Sequence, residues 1–275
     1  MGKIAFVQRN LARKILLLII IAICTGILVF NAIIFVRWYI DGNNIAEEIK
    51  EIEEIAVMTE PENTEPELVN QPSNGDSDYW HYVGLPFGDV GLGQLKTING
   101  DTVGFISVAG TNINYPVVRT GDNDYYLTHS FKKQNNQAGW VFMDFRNDTS
   151  MTNPNTIIYG HSRLDNTMFG SLKNILKTSW VNNKDNYVVR YVSESEIMLY
   201  QVFSVYKIPV ESYYIQTSFG GDRDYQDWLD TMIGRSQYNF NTSVNTGDRI
   251  LTLSTCYTDD TRVVLHAKLV KKALR

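Results

Sequence analysis

The stretch TLSTCYTDDTRVVLHAKL, residues 252 to 269, carries one thiol, Cys256, and a guanidinium six positions later, Arg262. A thiol attacks a carbonyl as its thiolate, and at an ordinary pKa of about 8.5 little of it is ionised near neutrality unless a cation or base stands close. Arg262 offers a permanent positive charge and a forked donor suited to a carbonyl or a developing oxyanion, but it cannot act as the base. That role falls to a histidine, whose ordinary pKa lies nearest neutrality. Among the four histidines, His161 is best placed, because NTIIYGHS at 155 to 162 reads as a buried strand whose end lets a side chain emerge into a cleft. His81 and His129 lie in polar or aromatic loop contexts and read as surface residues, and His266 is the competitor.

The strands that must position these groups alternate in the way a pleated strand requires. In RILTLSTC, Leu251, Leu253 and Thr255 share one face and Ile250, Thr252, Ser254 and Cys256 the other. In RVVLHAKL, Val263, Leu265, Ala267 and Leu269 form an apolar face, leaving Arg262, Val264, His266 and Lys268 on the outer one. A hairpin through YTDDT would set Cys256 and Arg262 on one outer surface at its mouth.

Six further β-like runs precede these two, at 103 to 108, 115 to 119, 139 to 145, 155 to 161, 187 to 192 and 197 to 208. Eight strands separated by turn residues argue for a barrel or sandwich and against a βαβ sheet. One helix interrupts the series between the sixth and seventh strands. From Asp222 to Ser236, the residues Tyr225, Trp228, Leu229, Met232 and Ile233 make a single apolar stripe after Gly220 and Gly221.

Residues 15 to 36 are apolar or small apart from Thr25 and Asn31, and roughly 20 such residues cross a hydrocarbon core as a helix. The run is too long for the core of a cleaved signal peptide and lacks a small-residue cleavage site, so it reads as an uncleaved signal anchor. Lys3, Arg9, Arg13 and Lys14 precede it and Arg37 alone follows before an acidic stretch, which places residues 1–14 in the cytoplasm and the remainder outside. Cys24 falls inside the span as a small apolar filler, which leaves Cys256 without a disulfide partner outside the membrane. Residues 37–78 form a short helix with isoleucines at 45, 49, 52 and 55, expected to be a solvated prop, followed by an acidic flexible linker. Residues 79–275 make one extracellular domain.

Composition excludes several classes. With 44% hydrophobic and 20% charged residues and a net charge of -5, nothing points to nucleic acid. The histidines show no zinc-like spacing with one another or with Cys256, and GDVGLG at 88 to 93 lacks the preceding strand of a dinucleotide fingerprint, so neither metal nor cofactor is expected.

The sequence resembles the sortases, membrane-anchored cysteine transpeptidases of Gram-positive cell surfaces, whose signature is TLxTC followed by an arginine on the next strand. Here that reads Thr252-Leu253-Ser254-Thr255-Cys256 and then Arg262. INGDTVGFISVAGTNINYPVVRTGDNDYYLTHSF at 98 to 131, GWVFMDFRN at 139 to 147 and NTIIYGHSRLDNTMFGSLK at 155 to 173 look like class B sortases in particular, as do Ser254 and the helix before the seventh strand.

The resemblance implies a mainly β protein, an eight-stranded sortase-type β-barrel with peripheral helices after one transmembrane helix. It implies Cys256 as nucleophile, His161 as general acid and base, Arg262 as substrate clamp or oxyanion donor, and a groove lined by Ser254 and Thr255. The substrates would be surface proteins bearing a C-terminal sorting motif, and the acceptor a peptidoglycan amine. Thr258 stands where the family often has an acidic residue, and Asp259 and Asp260 are either turn residues or a substitute orienting carboxylate. A pilin-polymerising sortase, a hydrolytic cysteine protease and a non-enzymatic membrane-tethered β-barrel binding protein are the rival readings.

Overall fold

The computed structural model describes the backbone of residues 2–61, 64–71, 77–258 and 260–275, and the side chains of these except 2–12, 77 and 256–258. Asp259 therefore lies outside the described residues, and Cys256 is described only by its backbone. The chain divides into two compact units, residues 1–44 and 45–275.

The first unit is the larger part of helix α1 (Gly2–Ile55). Its apolar side chains stand bare, with Leu28 70% and Phe30 64% exposed, and among the described residues it is the one helix long and apolar enough to cross a bilayer. Its two polar residues are satisfied within the helix: Thr25 Oγ1 donates to the Ile21 carbonyl at 2.8 Å and Asn31 Nδ2 to that of Ile27 at 2.8 Å. A polar group left unsatisfied in hydrocarbon would cost several kcal/mol, roughly.

The second unit is built on β1 (Glu67–Leu68), α2 (Ser77–Val83), α3 (Leu92–Ile98), β2 (Thr102–Val108), β3 (Asn114–Val118), β4 (Phe142–Met143), β5 (Asn155–Gly160), α4 (Thr178–Val181), β6 (Val188–Val192), β7 (Glu196–Pro209), α5 (Asp222–Arg235), β8 (Ile250–Thr258) and β9 (Thr261–Leu274). The strand order β9-β7-β6-β2-β3-β4-β5-β8 closes through pairing of β8 with β9, giving an eight-stranded barrel. The pairs β3–β4 and β5–β8 are parallel and the remaining barrel pairs antiparallel. The β-branched and aromatic runs became strands because both faces find apolar cover. The run at 139 to 145 pairs only over Phe142 and Met143, since Gly139 at φ +59° turns the chain before it.

Leu251 and Leu253 of β8 face Val263, Leu265, Ala267 and Leu269 of β9 in the barrel core. The opposite face is also covered: Ile250 and Val264 pack with Tyr225, Trp228, Leu229 and Met232 of α5. The surface expected to be open is therefore a second core, and Thr252, His266 and Lys268 are buried there.

Two segments expected to stand in solvent lie on the domain. Ile45 and Ile52 near the end of α1 are buried in the main core, where an isoleucine stripe gains more than it would in water. The acidic stretch after them is pinned as well. Thr59 and Asp89 exchange backbone hydrogen bonds, β1 pairs with β9 beyond the end of β8, and Asn70 Nδ2 donates to Asp248 at 2.9 Å. β9 is longer than β8, so its far end offers edge groups that the stretch satisfies.

Candidate active site

Strand register brings the predicted groups to one end of the barrel. β5 runs parallel to β8, with Tyr159 opposite Ser254 and Gly160 opposite Thr255. The next residues along the two strands are His161 and Cys256. Across the β8–β9 hairpin, Cys256 pairs with Arg262. His161, Arg262, Ser254 and Thr255 line one groove of about 330 Å³. The side chain of Cys256 lies outside the described residues.

The imidazole is seated on backbone. His161 Nε2 lies 2.8 Å from the Leu127 carbonyl oxygen. A carbonyl only accepts, so Nε2 carries a hydrogen and Nδ1 is the nitrogen left to exchange a proton. Gly139 closes the seat from the other side: a Cβ there would stand 2.8 Å from His161 Cδ2 and 2.5 Å from the Tyr126 carbonyl oxygen. Gly160, just before the histidine, likewise admits no side chain, because its Cβ would meet Phe169 Cγ at 2.7 Å.

The opposite wall is the segment from Val210 to Ile215, between β7 and α5, which no pattern of residue types singles out. It is held from outside the groove. Arg146 Nη2 donates to the Ile215 carbonyl at 3.0 Å, Asn155 Nδ2 to that of Gln216 at 2.8 Å, and Trp228 Nε1 to that of Tyr213 at 3.0 Å. Tyr214 and Ser254 share a hydroxyl hydrogen bond of 2.9 Å, and Arg235 pairs with Glu211 at 2.5 Å. Asp260 belongs to this wall through its backbone, its carbonyl accepting from Val210 N at 3.1 Å.

Behind the wall, Asp144 is fully buried and takes both Nε and Nη2 of Arg146, at 2.8 and 2.6 Å, and the Tyr159 hydroxyl at 2.9 Å. Burial alone would raise the Asp144 carboxyl. The Arg146 side-chain and backbone donors and the Tyr159 hydroxyl outweigh it and hold the group below the usual carboxylate range.

His266 does not reach this groove. Its ring is buried among Phe203, Tyr206 and Trp228. Thr252 Oγ1 gives its one hydrogen to Asn155 Oδ1 at 2.6 Å, so it accepts from His266 Nδ1 at 2.8 Å, and Nε2 accepts from the Tyr206 hydroxyl at 2.8 Å. Burial, with the Arg235 charge adding to it, lowers this histidine to about 3, so it is a neutral core residue. His129 stacks on Tyr125 at 4.1 Å and His81 pairs with Asp185, both away from the groove lining. A larger cleft of about 1010 Å³ lies at the far end of β9, and both of its cationic residues are paired: Lys272 with Glu67 and Glu196, and Arg275 with Asp89. Among the described residues, no cluster of acidic residues, histidine and cysteine suits a metal ion.

Residues 106–270 match the sortase domain, and the sortase B of Staphylococcus aureus is 41% identical over 182 residues, covering 65% of this chain and 74% of that relative. The chain belongs to the sortase family, in its class B. A structure of the S. aureus sortase B in complex with a substrate is similar with a TM-score of 0.61 at 40% identity, over 65% of this chain and 83% of the other. A sortase B from Bacillus anthracis aligns with a TM-score of 0.66 at 36% identity, over 86% of this chain and 99% of the other. As a sortase, the protein is a cysteine transpeptidase that anchors surface proteins to the cell wall, which removes the non-enzymatic reading.

Proposed function

We propose that Cys256 is the sortase nucleophile, His161 its acid and base, and Arg262 its oxyanion donor, acting on a C-terminal sorting signal laid along the groove. The observation that carries this reading is register: β5 pairs in parallel with β8 up to Gly160 and Thr255, His161 and Cys256 are the next residues of the two chains, and antiparallel β9 sets Arg262 opposite Cys256.

Cys256 passes its thiol proton to His161 Nδ1, the sulfur attacks a backbone carbonyl carbon of the sorting signal, and the carbonyl oxygen takes the negative charge. Arg262 donates to that oxyanion, where a positioned donor is worth about a hundredfold in rate or more. The carbon–nitrogen bond breaks, His161 Nδ1 gives its proton to the departing amine, and a thioester remains. Neutral Nδ1 then takes a proton from an amine of a cell-wall precursor. That nitrogen attacks the thioester carbon, the carbon–sulfur bond breaks, an amide forms and the departing sulfur takes the proton held on Nδ1, which restores the thiol. Ser254 and Thr255 line the groove beside the reacting carbonyl, Ser254 held by Tyr214.

The proposed topology is supported by α1 and the charges that flank its apolar run. With its basic residues on the N-terminal side, the helix anchors the protein with the N-terminus in the cytoplasm and the barrel outside. There it meets surface proteins as they emerge from the membrane.

The test is incubation with a set of sorting-signal pentapeptides, with and without glycine or diaminopimelate-type amines, read by mass spectrometry. Cleavage that vanishes in Cys256→Ala, with a ligated product that needs the amine, is the expected result. Cleavage with water as the sole acceptor would make the enzyme a hydrolase, and turnover by His161→Ala at the wild-type rate would overturn the division of roles among the three residues.

A further inference from the structure

The seat of His161 is built from the two ends of one excursion of the chain. Leu127, which accepts from Nε2, stands just before the segment 128–138, and Gly139, packed against Cδ2, just after it. The excursion is hairpin-like. His129 and Asn135 form an antiparallel bridge, Asn136 N donates to the Thr128 carbonyl at 2.9 Å, and Ser130 N to that of Gln134 at 2.9 Å. Gly139 N then donates to Asn136 and Trp140 N to Tyr126, so tip and base are tied through short backbone hydrogen bonds. Displacement at the tip is thereby carried to the residues touching the imidazole.

The tip is held by the helix that carries the membrane anchor. Glu48 of α1, 6% exposed, accepts from Lys132 N at 2.7 Å, and Glu51 one turn later pairs with the Lys132 ammonium. The carboxylate sits between Ile45 and Ile52, both buried in the core of the same unit. A carboxylate so far out of water is costly unless it is satisfied by donors, and here the excursion supplies them, the Lys132 N–H foremost. Buried acids on an otherwise apolar helix stripe are rare without such a task.

We propose that Glu48 is a positioning residue for His161, acting through the 128–138 excursion, so that the external end of the anchoring helix is a working part of the active site and not a spacer. The inference rests on His161 being the acid and base of the reaction. Glu48 touches no substrate. It sets how far the Leu127 carbonyl and Gly139 stand from the ring, and therefore how the imidazole is aimed at the sulfur and the leaving amine.

The experiment uses the full chain in detergent or nanodiscs, with steady-state cleavage of the best sorting-signal peptide. Glu48→Ala is expected to lower kcat about tenfold while KM stays within about twofold, since a misaimed catalytic group costs turnover and not peptide binding. Glu48→Gln keeps an oxygen for Lys132 N and restores most of kcat. Glu48→Asp, whose carboxylate is one methylene short of Lys132 N, loses kcat like the alanine variant and serves should the alanine chain fail to fold. Ile52→Ala weakens the same helix against the same core while keeping the Glu48 carboxylate and its Lys132 donor, and is expected to lower the melting temperature and leave kcat near wild type. Wild-type kcat in both Glu48→Ala and Glu48→Asp would overturn the proposal, as would an equal loss in Ile52→Ala. His161→Ala, run beside them, separates the two failures: an inactive His161 variant with normal Glu48 variants refutes the positioning role alone, while an active one refutes the His161 assignment and the role built on it.

Discussion

Arg262 stands directly opposite Cys256 in the β8–β9 ladder, so the two residues sit on neighbouring backbones at the same level. Antiparallel partners lie about 5 Å apart at Cα, close enough for a substrate carbonyl to meet both side chains. Arg262 is half-buried and its Nη1 donates to the Thr261 carbonyl at 3.0 Å, which orients the fork. Arg262→Ala should lower kcat about a hundredfold or more through loss of the oxyanion donor, with an unchanged melting temperature. Arg262→Lys keeps the charge but not the fork and should recover only part of the rate. Steady-state kinetics beside a thermal melt checks both, and wild-type turnover by the lysine variant would reduce the role to charge alone.

His266 predicts the acid limb of stability. Its folded pKa is about 3 against an ordinary 6.5, so between these values the unfolded chain binds a proton that the folded one does not. Stability is then complete above the ordinary value and falls as the pH drops toward 3, with a slope of about 1.4 kcal/mol per pH unit from this group. Denaturant melts of wild type and His266→Gln across this range should differ by that slope, the variant being the flatter. The variant should also keep its kcat, since the ring is enclosed by Tyr206, Thr252, Phe203 and Trp228 and does not line the groove that holds His161. Loss of turnover in a folded His266→Gln would reopen the competition with His161.

That competition shows where sequence reading stops. The alternation along β8 and β9 was legible because a pleated strand has period two, and it sorted Leu253 from Ser254 and Leu265 from His266 correctly. It could not say what lay against the second face. The α5 stripe of Tyr225, Trp228, Leu229 and Met232 covers that face, turning an apparent surface histidine into a core one. The same gap affects Glu48: the isoleucine spacing around it announced an apolar helix face, but the excursion that covers it is distant in sequence and polar in composition. The place of His161 in the groove was legible because a strand ending in Gly-His exposes its last side chain. Tyr214, Ile215 and Arg146 were not, because the wall they form is held in large part by hydrogen bonds to backbone carbonyls, which leave no mark on residue type.

Arg146 predicts a separable effect on binding. It reaches Asp144 with two nitrogens and the Ile215 carbonyl with one, so it links a buried carboxylate to the groove wall. Arg146→Ala leaves the Asp144 charge buried with only the Tyr159 hydroxyl and a backbone N–H, and removing one partner of such a pair costs about 3 kcal/mol. The double variant Arg146→Leu with Asp144→Asn removes the orphaned charge and should regain much of that stability. It should not regain the wall, so KM for the sorting peptide is expected to stay several-fold high with kcat little changed, roughly as for loss of uniform binding. Recovery of both KM and stability by the double variant would show that the Ile215 contact does not shape the groove.

Gly139 gives the sharpest local test of the imidazole seat. Its φ of +59° is a conformation that side-chain-bearing residues adopt only at a cost, about 1 kcal/mol or more for alanine. Strain alone would lower stability and leave chemistry intact. A methyl here, however, would also lie 2.8 Å from His161 Cδ2 and 2.9 Å from the Leu127 carbonyl oxygen, and neither is the loose end of a flexible chain. The ring or the carbonyl must give way, and the 2.8 Å hydrogen bond that keeps the hydrogen on Nε2 is the contact between them. Gly139→Ala is therefore expected to reduce kcat at least tenfold at temperatures where the variant is fully folded, consistent with the cost of small misplacements of a catalytic group. NMR of the imidazole nitrogens in a [15N]histidine-labelled sample should show the Nε2–H tautomer of His161 giving way to a mixture. A folded Gly139→Ala with wild-type kcat and an unchanged tautomer would mean that the Leu127 carbonyl, and not the glycine, holds the ring on its own.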